Sequence, residues 1–149
     1  MNMHMETMPE IAVIYVRRTG PYGGDNHDLM ERLKSWAAGN DLLETGVILG
    51  IAWDDPAHTP PEHCRYDVCL VSDGHIPELE AEMSLGQLPG GRYACFQGPH
   101  TPEGVQTLWR ESFSALPGLG FRPDPTRPVM ECYRPELLAQ RLCELCIPV

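Results

Sequence analysis

Two periods of apolar residues alternate along the chain. Residues 11–17 are β-rich, with Ile11, Val13 and Tyr15 on one face. The run stops at Thr19-Gly20-Pro21-Tyr22-Gly23-Gly24, a cluster of chain breakers. Asp25 can then cap a helix in which Leu29, Met30, Leu33, Trp36 and Ala37 form one stripe, and Gly39-Asn40 ends it. Two more β-like runs follow at residues 47–53 and 64–71, joined by a polar, proline-rich link.

After a loose acidic stretch at residues 72–87 the order begins again. A strand at residues 91–97 ends at Gly98-Pro99. Thr101-Pro102-Glu103 then opens a helix with a capping hydroxyl, a first-turn proline and an acid near the positive end. Val105, Leu108, Trp109, Phe113 and Leu116 form its apolar stripe, Pro117-Gly118 ends it, and residues 129–134 and 141–147 read as strands. Gly20-Pro21 answers Gly98-Pro99, Ala52-Trp53-Asp54 answers Cys132-Tyr133-Arg134, and Tyr66-Asp67-Val68-Cys69-Leu70 answers Cys143-Glu144-Leu145-Cys146-Ile147. A strand-helix-strand-strand unit is thus duplicated, at residues 10–72 and 90–149. Each half has a thin core of its own. The expected fold is α+β, one domain over residues 1–149, with pseudo-two-fold symmetry and two antiparallel three-stranded sheets around a central ligand cleft.

Composition narrows the function. With 149 residues, 42% hydrophobic and 21% charged, the chain can bury a real core and hold a site inside it. A net charge of -10 and no basic cluster beyond Arg17-Arg18 argue against direct nucleic-acid binding and favour cationic or neutral ligands. The Met-rich start has no signal-peptide pattern and no apolar run could span a bilayer, so the expected compartment is the cytoplasm, with no membrane partner. All six cysteines are expected as reduced thiols. Cys143 and Cys146 make a C-x-x-C, but on a strand an odd offset sends them to opposite faces, so no metal site is expected there. Neither a phosphate loop nor a dinucleotide fingerprint nor a common hydrolase motif is present, and no cofactor is expected.

The candidate site centres on Glu131. In its strand Glu131 shares a face with Val129 and Tyr133, while Met130 and Cys132 occupy the other, so both faces are largely apolar. An ionised carboxylate there is costly unless paired or hydrogen-bonded. Two bland readings stand beside this one: an exposed Glu131 on an edge strand, or an ion pair with Arg134 or Arg92. Trp53, Trp109, Tyr66 and Tyr133 are candidate pocket walls, Trp53 and Tyr133 because the repeat makes them equivalent. Asp67 and Glu144, alternating with apolar neighbours, are expected to face solvent.

Arg18-Thr19-Gly20-Pro21, Trp53-Asp54-Asp55-Pro56, Cys64-Arg65-Tyr66-Asp67, Leu88-Pro89-Gly90-Gly91-Arg92-Tyr93-Ala94, Pro128-Val129-Met130-Glu131-Cys132-Tyr133 and the closing Cys143-Glu144-Leu145-Cys146-Ile147-Pro148-Val149 resemble, in that order, GyrI-like sequences. The resemblance runs nearly end to end. It implies a stand-alone domain related to bacterial gyrase inhibitors and to the effector-binding domains of multidrug regulators, in which an acid matching Glu131 binds lipophilic cations in an aromatic pocket. Some relatives resemble hydrolases that open cyclopropane-bearing toxins; in that role Glu131 would be the catalytic residue that positions or deprotonates water. The resemblance therefore implies capture of lipophilic or cationic molecules in drug or toxin resistance or sensing. The alternatives are hydrolysis of such compounds and contact with DNA gyrase. Too few residues precede Ile11 for a helix-turn-helix, so a DNA-binding regulator in one chain is not expected.

Overall fold

A computed structural model describes residues 2–149. Its strands are β1 (Asn2–Met8), β2 (Ile11–Thr19), β3 (Ile48–Ala52), β4 (Arg65–Val71), β5 (Met83–Leu88), β6 (Gly91–Pro99), β7 (Val129–Tyr133) and β8 (Leu142–Pro148). Helix α1 (Asp25–Gly39) follows β2, α2 (Pro102–Ala115) follows β6, and the single-turn α3 (Pro135–Leu138) links β7 to β8. All strands form one antiparallel sheet in the order β1-β6-β8-β7-β3-β4-β2-β5. The expected pair of three-stranded sheets is therefore a single eight-stranded one, fused where β3 pairs with β7.

The order is palindromic about that junction: β1-β6-β8-β7 mirrors β5-β2-β4-β3, as the duplication requires. Two strands were not expected. β1 precedes β2 in the chain but pairs with β6, and β5 precedes β6 but pairs with β2, so each repeat lends its first strand to the other. The links explain the exchange. Pro9 and Pro89 stand where a tight hairpin would need a positive φ, which proline cannot adopt. The two links also cross closely: a β-carbon on Gly90 would lie 2.7 Å from Met8 O and 2.8 Å from Glu10 N.

Each helix covers the half that contains it. Leu33, Trp36 and Ala37 of α1 pack with Ile14, Val16, Ile48 and Val68; Leu108 of α2 packs with Ala94, Phe96, Leu145 and Ile147. Thr101 caps α2, its hydroxyl accepting from Gly104 N at 2.9 Å. Asp25 does not cap α1: the cap is Gly24, and Asp25 lies in the first turn with Asp28, where the helix dipole favours acids.

The opposite face carries no helix yet is buried. Val13, Leu49, Ile51, Cys69, Tyr93, Cys95, Met130, Cys132 and Cys146 form one cluster drawn from both halves. This is why Asp67 and Glu144 do not face solvent as expected: they are 2% and 5% exposed on that face. Burial requires partners, and both have them. Arg17 donates to Asp67 through Nε at 2.7 Å and Nη2 at 2.9 Å, and Trp53 Nε1 donates at 2.7 Å. Glu144 lies 3.3 Å from Arg134 Nε and 3.6 Å from His4 Nδ1. Cys143 packs under α2 and Cys146 in the helix-free cluster, so the C-x-x-C pair lies on opposite faces.

Candidate functional site

The helices flank the β3–β7 junction and leave a cleft of about 1300 Å³ over it. Its base is Glu131, Tyr66 and Tyr133; α1 lines it with Met30 and Lys34, and α2 with Trp109. The volume exceeds the roughly 300–1,000 Å³ usual for a small-molecule site, so a bulky ligand fits.

Glu131 is held from several sides. Tyr66 Oη donates to Oε1 at 2.7 Å and Trp109 Nε1 donates to Oε2 at 2.8 Å. Tyr133 stands beside the carboxylate and also lowers its pKa. The residue is only partly buried, because the cleft reaches it, but protein surrounds the carboxylate closely. Burial raises its pKa above the ordinary carboxylate value, and the polar hydrogens of Trp109, Tyr66 and Tyr133 nearby pull it back down. Tyr66 and Tyr133 are pushed far above the phenol range, mainly by burial and then by Glu131's charge, so both stay protonated donors.

Neither bland reading of Glu131 matches the structure. β7 is central rather than an edge strand. Arg134 points to Glu6 and Glu144 on the other face, and Arg92 stacks over Phe121. Among the described residues no salt bridge reaches Glu131.

Glu131, Tyr66, Trp109 and Tyr133 thus meet in the cleft. Trp53 does not. Gly50 pairs with Val68 as Glu131 pairs with Leu145, which makes Gly50 the counterpart of Glu131 and Ala52 the counterpart of Tyr133. Trp53 is therefore the counterpart of Arg134, one residue off the expected alignment. A one-residue slip on a strand exchanges faces, and Trp53 lies on the helix-free side against Asp67.

Two rings escaped the sequence reading, Tyr22 and His100, although the repeat held the signal: each follows the Gly-Pro that ends its strand. Both line the cleft. Tyr22 meets Tyr66 edge-on with centroids 6.3 Å apart, and its hydroxyl donates to Arg65 O at 2.8 Å. His100 lies 5.4 Å from the Tyr133 ring, and burial, then Lys34, lowers its pKa. It is a neutral wall at neutral pH.

The whole chain, residues 1–149, matches the family described as the GyrI-like small molecule binding domain. The chain belongs to the GyrI-like family. It is 40% identical over 152 residues to the SPbeta prophage-derived protein YosT of Bacillus subtilis (strain 168), which bears the name of a transcriptional regulator; the match covers 100% of this chain and 99% of that protein. It is 30% identical over 155 residues to a DNA gyrase inhibitor of Edwardsiella piscicida, covering 100% of this chain and 98% of the inhibitor. The structure of SAV2435 bound to tetraphenylphosphonium has the same fold, with a TM-score of 0.66 at 14% identity over 100% of this chain and 94% of that one. No helix of the GyrI-like chain is long and apolar enough to cross a membrane, among the described residues.

Proposed function

We propose that this GyrI-like domain captures lipophilic cations in the cleft, with Glu131 as the counter-charge. One observation carries the reading: a desolvated carboxylate lies at the base of a largely apolar, aromatic cleft, held by neutral donors and, among the described residues, in no salt bridge, Lys34 at the cleft wall being paired with Glu31. Neutral donors orient the charge without cancelling it, so a cationic ligand completes the pair. Trp109, Tyr66 and Tyr133 add ring faces and edges, each cation–π contact contributing roughly 0.5–2 kcal/mol. The net charge of -10 draws cations toward the cleft. The tetraphenylphosphonium held by SAV2435 is a ligand of this chemistry and size.

The same carboxylate is poorly placed to act as a hydrolase base. A carboxylate offers about four acceptor positions. Tyr66 and Trp109 take one on each oxygen, with Tyr133 close by, which favours holding a ligand over activating water.

The test compares wild type with Glu131→Gln by calorimetric titration of tetraphenylphosphonium and of neutral triphenylphosphine oxide. The variant keeps the shape and removes the charge. The phosphonium should bind about a hundredfold more weakly, and the neutral compound should change little. Equal loss for both, or no loss for either, overturns the reading. A turnover assay on an electrophilic cyclopropane compound and a gyrase supercoiling assay separate the hydrolase and gyrase-inhibitor alternatives.

A further inference from the structure

We propose that the helix-free face carries a zinc site formed by His4 Nε2, Glu6 Oε2 and Cys95 Sγ, on the opposite side of the sheet from the β3–β7 cleft. Strand pairing assembles it. β1 lies antiparallel to β6 with His4 directly opposite Cys95, and Glu6, two residues on, shares their face. The three ligand atoms lie within 4.8 Å of one another. His4 Nε2 is 3.4 Å from Glu6 Oε2, and Cys95 Sγ is 3.8 Å from that same oxygen. Zinc bonds of about 2.0–2.3 Å in a tetrahedron separate neighbouring ligand atoms by about 3.3–3.7 Å. The His4–Glu6 and Cys95–Glu6 separations are therefore close to the edges of a tetrahedral zinc site.

The surroundings match a metal-bound histidine. Its other nitrogen, Nδ1, lies 3.6 Å from the buried carboxylate of Glu144, an acid placed where a small closing of that distance would orient the ring and leave the Nε2 lone pair for a metal. Cys146 lies directly across from Cys95 on β8. Charge agrees as well. With Cys95 deprotonated, Glu6, Glu144 and Cys95 set three negative charges against the guanidinium of Arg134, and a divalent ion closes the balance. Arg134 Nη2 lies 3.4 Å from the Glu6 oxygen, and its Nε is buried without a hydrogen bond. When zinc takes Glu6, Arg134 is left to Glu144.

Mixed nitrogen, oxygen and thiolate donors suit zinc over calcium or magnesium, which take oxygen alone. The side chain of His4 is 54% exposed, so the fourth position opens to solvent and the metal can exchange. Binding breaks only the Cys95 S–H bond, releasing one proton to the buffer, and no redox step is involved.

The experiment titrates chelator-stripped full-length protein, without a histidine tag, with zinc against a chromogenic chelator, and with cobalt by absorption. Wild type should take one equivalent and show a thiolate-to-cobalt charge-transfer band. His4→Ala and Cys95→Ser should each weaken zinc at least about a hundredfold, Cys95→Ser should abolish the band, and Glu144→Gln should cost about tenfold. Cys143→Ser, on the other face, should bind as wild type does. If Cys95→Ser fails to fold, His4→Ala and Glu6→Gln, whose side chains reach solvent, decide. Less than one equivalent in wild type, no charge-transfer band, or wild-type affinity in His4→Ala overturns the site.

Discussion

Gly50 and Glu131 are partners across β3 and β7, and a β-carbon on Gly50 would lie 2.5 Å from Glu131 Oε1 and 2.3 Å from Tyr66 Oη. They are also equivalent positions of the two repeats, so the pseudo-two-fold axis passes between them. At the axis each repeat would place its own side chain in the same space. One repeat supplies an acid and the other supplies nothing, which leaves a single carboxylate with room for the Tyr66 hydroxyl.

Gly50→Ala should therefore act on both stability and binding. Neither neighbour can retreat without giving up the Tyr66–Glu131 hydrogen bond. Overpacking of this kind costs about 1–3 kcal/mol. Denaturant titration should show that loss, and phosphonium affinity should fall with it. A variant as stable as wild type would mean that the junction yields.

The two tryptophans should separate cleanly. Trp53→Phe removes a donor from buried Asp67 and should cost about 1–3 kcal/mol of stability. Ligand affinity should stay within about twofold, since Trp53 lies on the other face. Trp109→Phe removes the donor to Glu131 Oε2 and one wall of the cleft, so affinity should fall about tenfold or more. Unfolding curves and calorimetry on both variants check this. Loss of binding in Trp53→Phe with full stability would contradict the assignment of faces.

Glu131 should make both stability and binding depend on pH, with opposite signs. Its folded pKa is raised, so between the unfolded and folded values the native state holds the extra proton. Its contribution to stability is greatest below the ordinary carboxylate range and is lost as pH rises through the raised value. Cation affinity should climb over that same interval and level off once Glu131 is ionised. Wild type minus Glu131→Gln isolates the effect, and calorimetry in buffers of different ionisation enthalpy should detect proton release within the window. A flat difference would place Glu131 at its ordinary pKa.

All six cysteines are free and buried. Burial, then the charge of Glu131, pushes the Cys143 thiol up to about 11. A disulfide-exchange reagent at pH 8 should react slowly with native protein and count six thiols in denaturant without reductant. Four in denaturant would point to a bridge between Cys132 and Cys146, whose sulfurs are 3.3 Å apart.

Local order was legible in the residues themselves. Period-two and period-3.6 patterns, the Gly-Pro breakers and the Thr101 cap depend on neighbours within a few positions, so six strands, two long helices and the duplication could be read directly. Glu131 was legible for the same reason: apolar residues on both sides of its strand leave an acid no cheap place. Long-range pairing was not. Asn2–Met8 and Met83–Leu88 have no clear alternation, and they become strands because prolines in their links send them to the opposite repeat. Trp53 was misplaced by one residue because only the hydrogen-bond register identifies Gly50 with Glu131. Asp67 and Glu144 look solvent-facing in the sequence because nothing local tells that their face is buried, or that Arg17, Trp53, Arg134 and His4 meet them there. Neighbouring residues along the chain specify the set of elements and the acid. Which strands exchange, which face closes and which side chains reach that acid are decided by contacts between residues far apart in the chain, and these exist only once the sheet has formed.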